Sequence, residues 1–278
     1  MAMSSRKSAS LFQTNNIKDS NNLLKIFSCL VIIVLICIAI GHYAFKNGML
    51  TCDHYVFNTY LYIILAIVLM FLIVLLNDQY SVFNPLLNLL SGFIGFIILL
   101  GIIIGLTYAL HNVDPKNILA SNGIWLALVL FIGILMIRLV VFGRMTGVVG
   151  LAGILTVVIV IVVGLLGYYM GDKIITFDWD YYLQFALLGL IVVLICGYMF
   201  INDMATMLTF IYVLSIIGLI IFVLLLLSNH KKLKENSEKC IDGQVVPNYP
   251  KESWSLVIKI VNIFSNLVRI LGIRRLRR

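Results

Sequence analysis

Seven apolar runs, each close to the length a bilayer's hydrocarbon core demands, decide most of what this chain can become. They run from Ile26 to Phe45, Tyr55 to Leu76, Pro85 to Leu110, Gly123 to Phe142, Gly147 to Met170, Tyr182 to Ile201 and Met204 to Ser228. A helical crossing needs roughly 20 apolar residues. In lipid every backbone N–H and C=O must be satisfied within the segment, and none of the runs alternates with a period of two, so helices are expected and barrel strands excluded. The expected fold is all-α: a polytopic membrane helix bundle of about seven spans plus a C-terminal amphipathic or re-entrant helix. Four regions follow: a polar N-terminal tail (1–25), the bundle (26–228), a lysine-rich polar loop (229–253), and an amphipathic helix with a basic tail (254–278).

Composition agrees. Of 278 residues, 62% are apolar and 12% charged, against about a quarter charged in soluble domains, so no sizeable water-soluble domain fits. The residues before Lys25 are too long and too polar for a signal leader, and the first run is read as a retained helix. The net charge of +8 sits in tails beside membrane segments, which suits anionic lipid headgroups and excludes a folded nucleic-acid-binding face. The expected partners are the bilayer, its anionic headgroups and other membrane proteins, with no nucleic acid.

Among the cysteines, Cys29, Cys37 and Cys196 lie in apolar runs and read as small buried side chains. Cys52 and Cys240 fall in connections and can form a disulfide only if both face an oxidising lumen. Lys and Arg flanks favour a cytoplasmic N-terminus, yet seven crossings would then place Lys231, Lys232, Lys234, Lys239 and Lys251 outside. Either one segment does not cross, with Tyr182 to Ile201 the first candidate, or the orientation is reversed.

After the last run, Ser255, Lys259, Asn262, Asn266 and Arg269 recur at steps of four and three and line one face of a helix, ending in Arg274, Arg275, Arg277 and Arg278. Two placements remain open. The helix lies among the headgroups with its basic residues on anionic lipid, or it inserts into the bundle with its polar stripe facing a wet interior.

Three segments resemble the transmembrane BAX-inhibitor-motif family, also called the Bax inhibitor or lifeguard family. LIIFVLLLLSNHKKL (219–233) is similar to the family's penultimate helix, which leads into a Tyr-Asp-Thr-Gln signature. NYPKESWSLVIKIVNIFSNLVRILG (248–272) resembles the closing segment, with Asn262, Ile263 and Phe264 on an Asn-Leu-Phe element. LLKIFSCLVIIVL (23–35) resembles the start of the first helix, with Lys25 and Phe27 in place. The resemblance implies a regulator of cell death and calcium homeostasis at an endomembrane, such as endoplasmic reticulum or Golgi. It also implies a departure. The family's acidic pair, read as a proton- and Ca²⁺-responsive gate, falls here on Asn229 and Lys259, and neither can act as a carboxylate.

Arg138 and Asp203 form a candidate intramembrane ion pair; the alternative is a snorkelling arginine and a solvated aspartate. Cys52, Asp53 and His54, with His42 and His111, have metal-ligand types without metal-ligand spacing, so no metal and no cofactor are expected. Asn58, Asn88, Tyr108 and Gln184 read as interhelical glue, and Gly147, Gly150 and Gly153 as a close-packing stripe. No Gly-x-Ser-x-Gly, His-Glu-x-x-His or phosphate loop occurs, and a non-enzymatic role is expected. The alternative functions are an ion or small-solute channel or transporter whose polar stripe lines an anion-favouring path, or a packing scaffold.

Overall fold

The computed structural model describes the backbone of residues 2–46, 48–90, 92–175 and 179–277, and the side chains of these except 2–21, 93, 94, 96, 172 and 180. Arg278, and the side chains of Arg6, Lys7 and Lys18 among the basic flanks that favour a cytoplasmic N-terminus, lie outside the described residues.

The helices are α1 (Ala2–Tyr43), α2 (Tyr55–Tyr80), α3 (Asn84–Leu89), α4 (Phe93–Asn112), α5 (Ile118–Met145), α6 (Val149–Ile174), α7 (Trp179–Phe200), α8 (Met204–Ile241) and α9 (Tyr249–Leu276). A two-residue hairpin, β1 (Phe45–Lys46) and β2 (Met49–Leu50), joins α1 to α2 and pairs Phe45 with Leu50. Seven helices are long and apolar enough to cross a membrane, and the all-α membrane bundle is borne out. Several helix starts carry side-chain caps: Asn117, Asp203 and Asn248 accept from the backbone N–H of Ala120, Thr206 and Lys251.

The third apolar run is interrupted. Pro85 opens α3, and the chain breaks after Leu89 and restarts at Phe93, with Gly92 at φ 93, a backbone that favours glycine. The chain still traverses here, because α2 and α5 run parallel: Tyr62 meets Asn122 and Trp125 at one end, and Asp78 meets Arg144 at the other. Tyr182 to Ile201, the first candidate for a partial crossing, falls on a continuous helix whose residues Tyr181–Phe200 are long and apolar enough to span. Counting the broken α3–α4 segment as one traverse beside the seven candidate spans, the chain crosses the bundle eight times, and the start of α1 and the end of α9 lie at the same end.

The lysine-rich loop is also corrected. Residues 229–241 continue α8 as helix, leaving a short turn before α9. An unbroken helical path from the bilayer is the cheaper way to carry Lys231 to Lys239 into water, since polar side chains do not interrupt backbone hydrogen bonds. The end of α8 is tied by a Cys52–Cys240 disulfide to the segment before α2. Of the other cysteines, Cys29 is buried, whereas Cys37 and Cys196 are exposed on outward faces.

Of the two placements open for the closing helix, α9 takes the inserted one. Tyr249, Val257, Ile263 and Val268 are fully enclosed and Trp254 nearly so, and the helix packs against α2, α4, α5, α6 and α8. Its N-terminal end is pinned by the Trp254 indole, which donates to Thr107 on α4 at 3.2 Å. At its far end the Arg275 guanidinium donates to the carbonyls of Thr146 (2.8 Å) and Gly147 (3.0 Å) in the α5–α6 turn. Gly147 has φ 65, a backbone that favours glycine, and a Cβ there would stand 2.7 Å from Arg275 Nη1 and push the guanidinium aside.

The expected glycine stripe is displaced. A Cβ on Gly150 or Gly153 would meet nothing within 4 Å, while one on Gly167 would stand 2.7 Å from the Leu227 carbonyl oxygen and one on Gly171 3.0 Å from Lys231 Cβ. Gly164, Gly167 and Gly171 are what bring α6 against α8.

Candidate functional site: a polar seam between α2, α8 and α9

The antiparallel register of α8 and α9 aligns their polar residues. Asn236 donates to Glu252 at 2.9 Å, and the Asn229 amide donates to the Ser255 hydroxyl at 2.7 Å and its carbonyl at 3.1 Å. Lys259 Nζ donates to the same Ser255 Oγ at 3.0 Å. Asn229 and Lys259, the positions to which the resemblance assigns the acidic pair, thus meet through one hydroxyl. A turn above, Glu252 also takes a hydrogen bond from Tyr55 of α2 and lies within electrostatic reach of Lys251 and Lys259. The only carboxylate in the seam among the described residues is therefore shared by three helices and neighboured by lysine.

Further along α9, Asn262 donates to the Ile258 carbonyl at 2.7 Å. Asn266 is buried against Gly218, where a Cβ would come within 3.1 Å of its amide nitrogen. Arg269 leaves the seam and is exposed. The stripe Ser255, Lys259, Asn262, Asn266 and Arg269 is thus one seam at its upper end and turns to the outer surface at its lower end.

Beneath the disulfide, aromatic and amide groups seal the upper end. Tyr249 packs between Tyr55 (5.4 Å) and Tyr62 (6.0 Å) and donates its hydroxyl to the Thr51 carbonyl. Asn58, wholly buried, shares its two amide hydrogens among the carbonyls of Tyr43 (3.1 Å) and Asp53 (3.0 Å) and the Tyr249 hydroxyl (3.2 Å). Of the four expected glue residues Asn58 is the buried one; Asn88, Tyr108 and Gln184 are exposed.

A second polar pair faces a side cleft of about 470 Å³ lined by Tyr60, Gly164, Tyr168 and His230 among others. His230 Nδ1 lies 2.8 Å from the Leu226 carbonyl, which can only accept, so Nδ1 carries the hydrogen. In the neutral ring Nε2 then accepts from the Tyr60 hydroxyl at 2.8 Å. Sequence reasoning missed Glu252, Tyr55, Asn236 and His230. A histidine and a glutamate each next to a lysine in sequence carry no signal until the helix register is known.

Arg138 and Asp203 do not pair. The Arg138 guanidinium donates to the Leu87 carbonyl in the last turn of α3. Asp203 caps α8, accepting the Thr206 N–H at 2.8 Å and its hydroxyl at 2.7 Å, and these hydrogen bonds hold its carboxyl below the usual range. The ion pair at this end is Arg144 with Asp78. Of the loop cluster, Cys52 is consumed by the disulfide, Asp53 lies 3.6 Å from Lys46, and no metal-binding group occurs among the described residues. Lys25 faces α2 across a shallow cleft, and Phe27 points outward.

No curated protein matches the chain significantly. The model of a protein family described as "Inhibitor of apoptosis-promoting Bax1" matches residues 52–276, from the disulfide to the last turn of α9. The match begins after α1, so Leu23 to Leu35 stands outside it, while the whole polar seam stands inside. This multi-pass membrane protein belongs to the Bax inhibitor family.

Proposed function

We propose that this protein is a non-enzymatic regulator of cell death and calcium homeostasis in an endomembrane, and that it works without the acid- and Ca²⁺-responsive carboxylate gate implied for its family. The observation that carries the reading is the Asn229–Ser255–Lys259 junction. Two close carboxylates can share a proton and offer oxygen ligands to Ca²⁺. An amide and an ammonium on one hydroxyl offer neither, and the ammonium repels divalent cations.

Liposomes loaded with a calcium dye test this. The wild-type protein is expected to give no acid-stimulated Ca²⁺ release, and the double variant Asn229→Asp, Lys259→Asp to gain it. Robust acid-stimulated release by the wild type would overturn the reading.

A second reading is favoured by the polar groups that continue from Lys259 through Asn262 and Asn266: an anion-favouring path, since positive linings attract anions. In planar bilayers Lys259→Glu is then expected to reverse anion over cation preference. Unchanged conductance and selectivity would remove this reading and leave the first.

A further inference from the structure

We propose that the outer face where α7, α8 and α9 meet, at the arginine end of the bundle, is a binding site for the phosphate of an anionic membrane lipid. Arg269 is exposed there beside Tyr198 of α7. Arg277 is held on α8 by a hydrogen bond to the Thr209 hydroxyl, with its guanidinium carbon 5.5 Å from the centre of the Tyr212 ring. Arg274 is exposed on the same turns.

The acids described at this end are already engaged. Asp78 pairs with Arg144, and Asp203 is turned to its own helix. Among the described residues Arg269, Arg274 and Arg277 have no carboxylate in ion-pair range. The opposite end differs: Lys46 lies near Asp53, Lys231 lies 3.9 Å from Glu235, and Glu238 and Asp242 follow. The excess positive charge is therefore concentrated on the arginine face.

Depth selects the ligand. Arg269 precedes Leu276 by seven residues, about 10 Å of helix rise. Its exposed side chain therefore starts inside the bilayer margin. Tyr198 beside it is exposed in the last turns of the apolar helix α7. An ionisable group at that depth takes a partner, and the anion available from the side is a headgroup phosphate. Guanidinium forks bind phosphate oxygens in pairs, and tyrosine hydroxyls sit at headgroup level.

The test is native mass spectrometry of the full chain from neutral detergent, with dioleoyl phosphatidylserine or dioleoyl phosphatidylcholine added. Phosphatidylserine is expected to bind selectively, and Arg269→Gln with Arg277→Gln to weaken it by about 25-fold, taking about fivefold per arginine. Lys232→Gln with Lys234→Gln, at the other end, is expected to leave it unchanged. Equal retention by the arginine variant, or equal binding of phosphatidylcholine, would overturn the site. Displacement of the lipid by an equal concentration of inorganic phosphate would assign it to a soluble anion and overturn the lipid. Photoactivatable phosphatidylserine gives a reading without any variant: cross-links on residues 197–212 and 269–277 are expected, and cross-links confined elsewhere overturn the proposal. Neither readout depends on Ca²⁺ flux, so this site and the gate stand or fall separately.

Discussion

Arg138 shows how a single side chain can be rightly singled out and wrongly paired. It lies six residues before Arg144, itself at the membrane margin, so its charge sits inside the bilayer and needs a partner. The sequence offers Asp203 at the end of a later span. The partner is instead the Leu87 carbonyl in the last turn of α3. That α3 ends within reach of α5 cannot be read from hydropathy, because the third run looks continuous. Arg138→Met is expected to destabilise the protein by about 1 to 3 kcal/mol, the range for losing a hydrogen bond from a charged donor. Asp203→Asn should show no coupling to it in a double-mutant cycle followed by thermal unfolding in detergent. A coupling well above experimental error would reinstate the ion pair.

At the scale of elements, periodicity found the polar face of α9 and misjudged its surroundings. Ser255, Lys259, Asn262 and Asn266 share a face as their spacing demands, but Asn229, Asn236 and Tyr55 come from helices whose register against α9 no pattern in either segment sets. Glycines fail for the same reason. Gly147, Gly150 and Gly153 stand at regular steps, yet contact depends on which face meets a neighbour, and the α6–α8 approach occurs at Gly164, Gly167 and Gly171. Two substitutions in one helix separate these cases. Gly167→Ala, whose Cβ would press on the Leu227 backbone, is expected to cost about 1 to 3 kcal/mol. Gly150→Ala meets open space and should be neutral or mildly stabilising, because alanine is the better helix former. The ranking of the two melting temperatures checks the close approach directly, and equal temperatures would contradict it.

For the whole molecule, the decisive quantity is the parity of crossings, and charge alone left it undecided. The lysines in the last turns of α8 look cytoplasmic by the positive-flank rule, which favours a partial span before them. They lie on the same face as Cys52 and Cys240, whose bond marks an oxidising side, and their acidic neighbours Glu235, Glu238 and Asp242 dilute the charge there. The opposite face holds the arginines of α5 and α9 and is the one expected to meet the cytosol, with both chain ends. A pair of single cysteines placed across α9 tests this in a background where Cys29, Cys37 and Cys196 are serine and the disulfide is kept. Val246→Cys lies in the exposed turn before α9, and Arg274→Cys lies exposed in its last turn. In sealed microsomes a membrane-impermeant maleimide should label Arg274→Cys at once and Val246→Cys only after permeabilisation. Labelling of both from one side would mean that α9 does not cross. The seam along α9 would then lie at the membrane surface, and the eight-pass arrangement would fail with it.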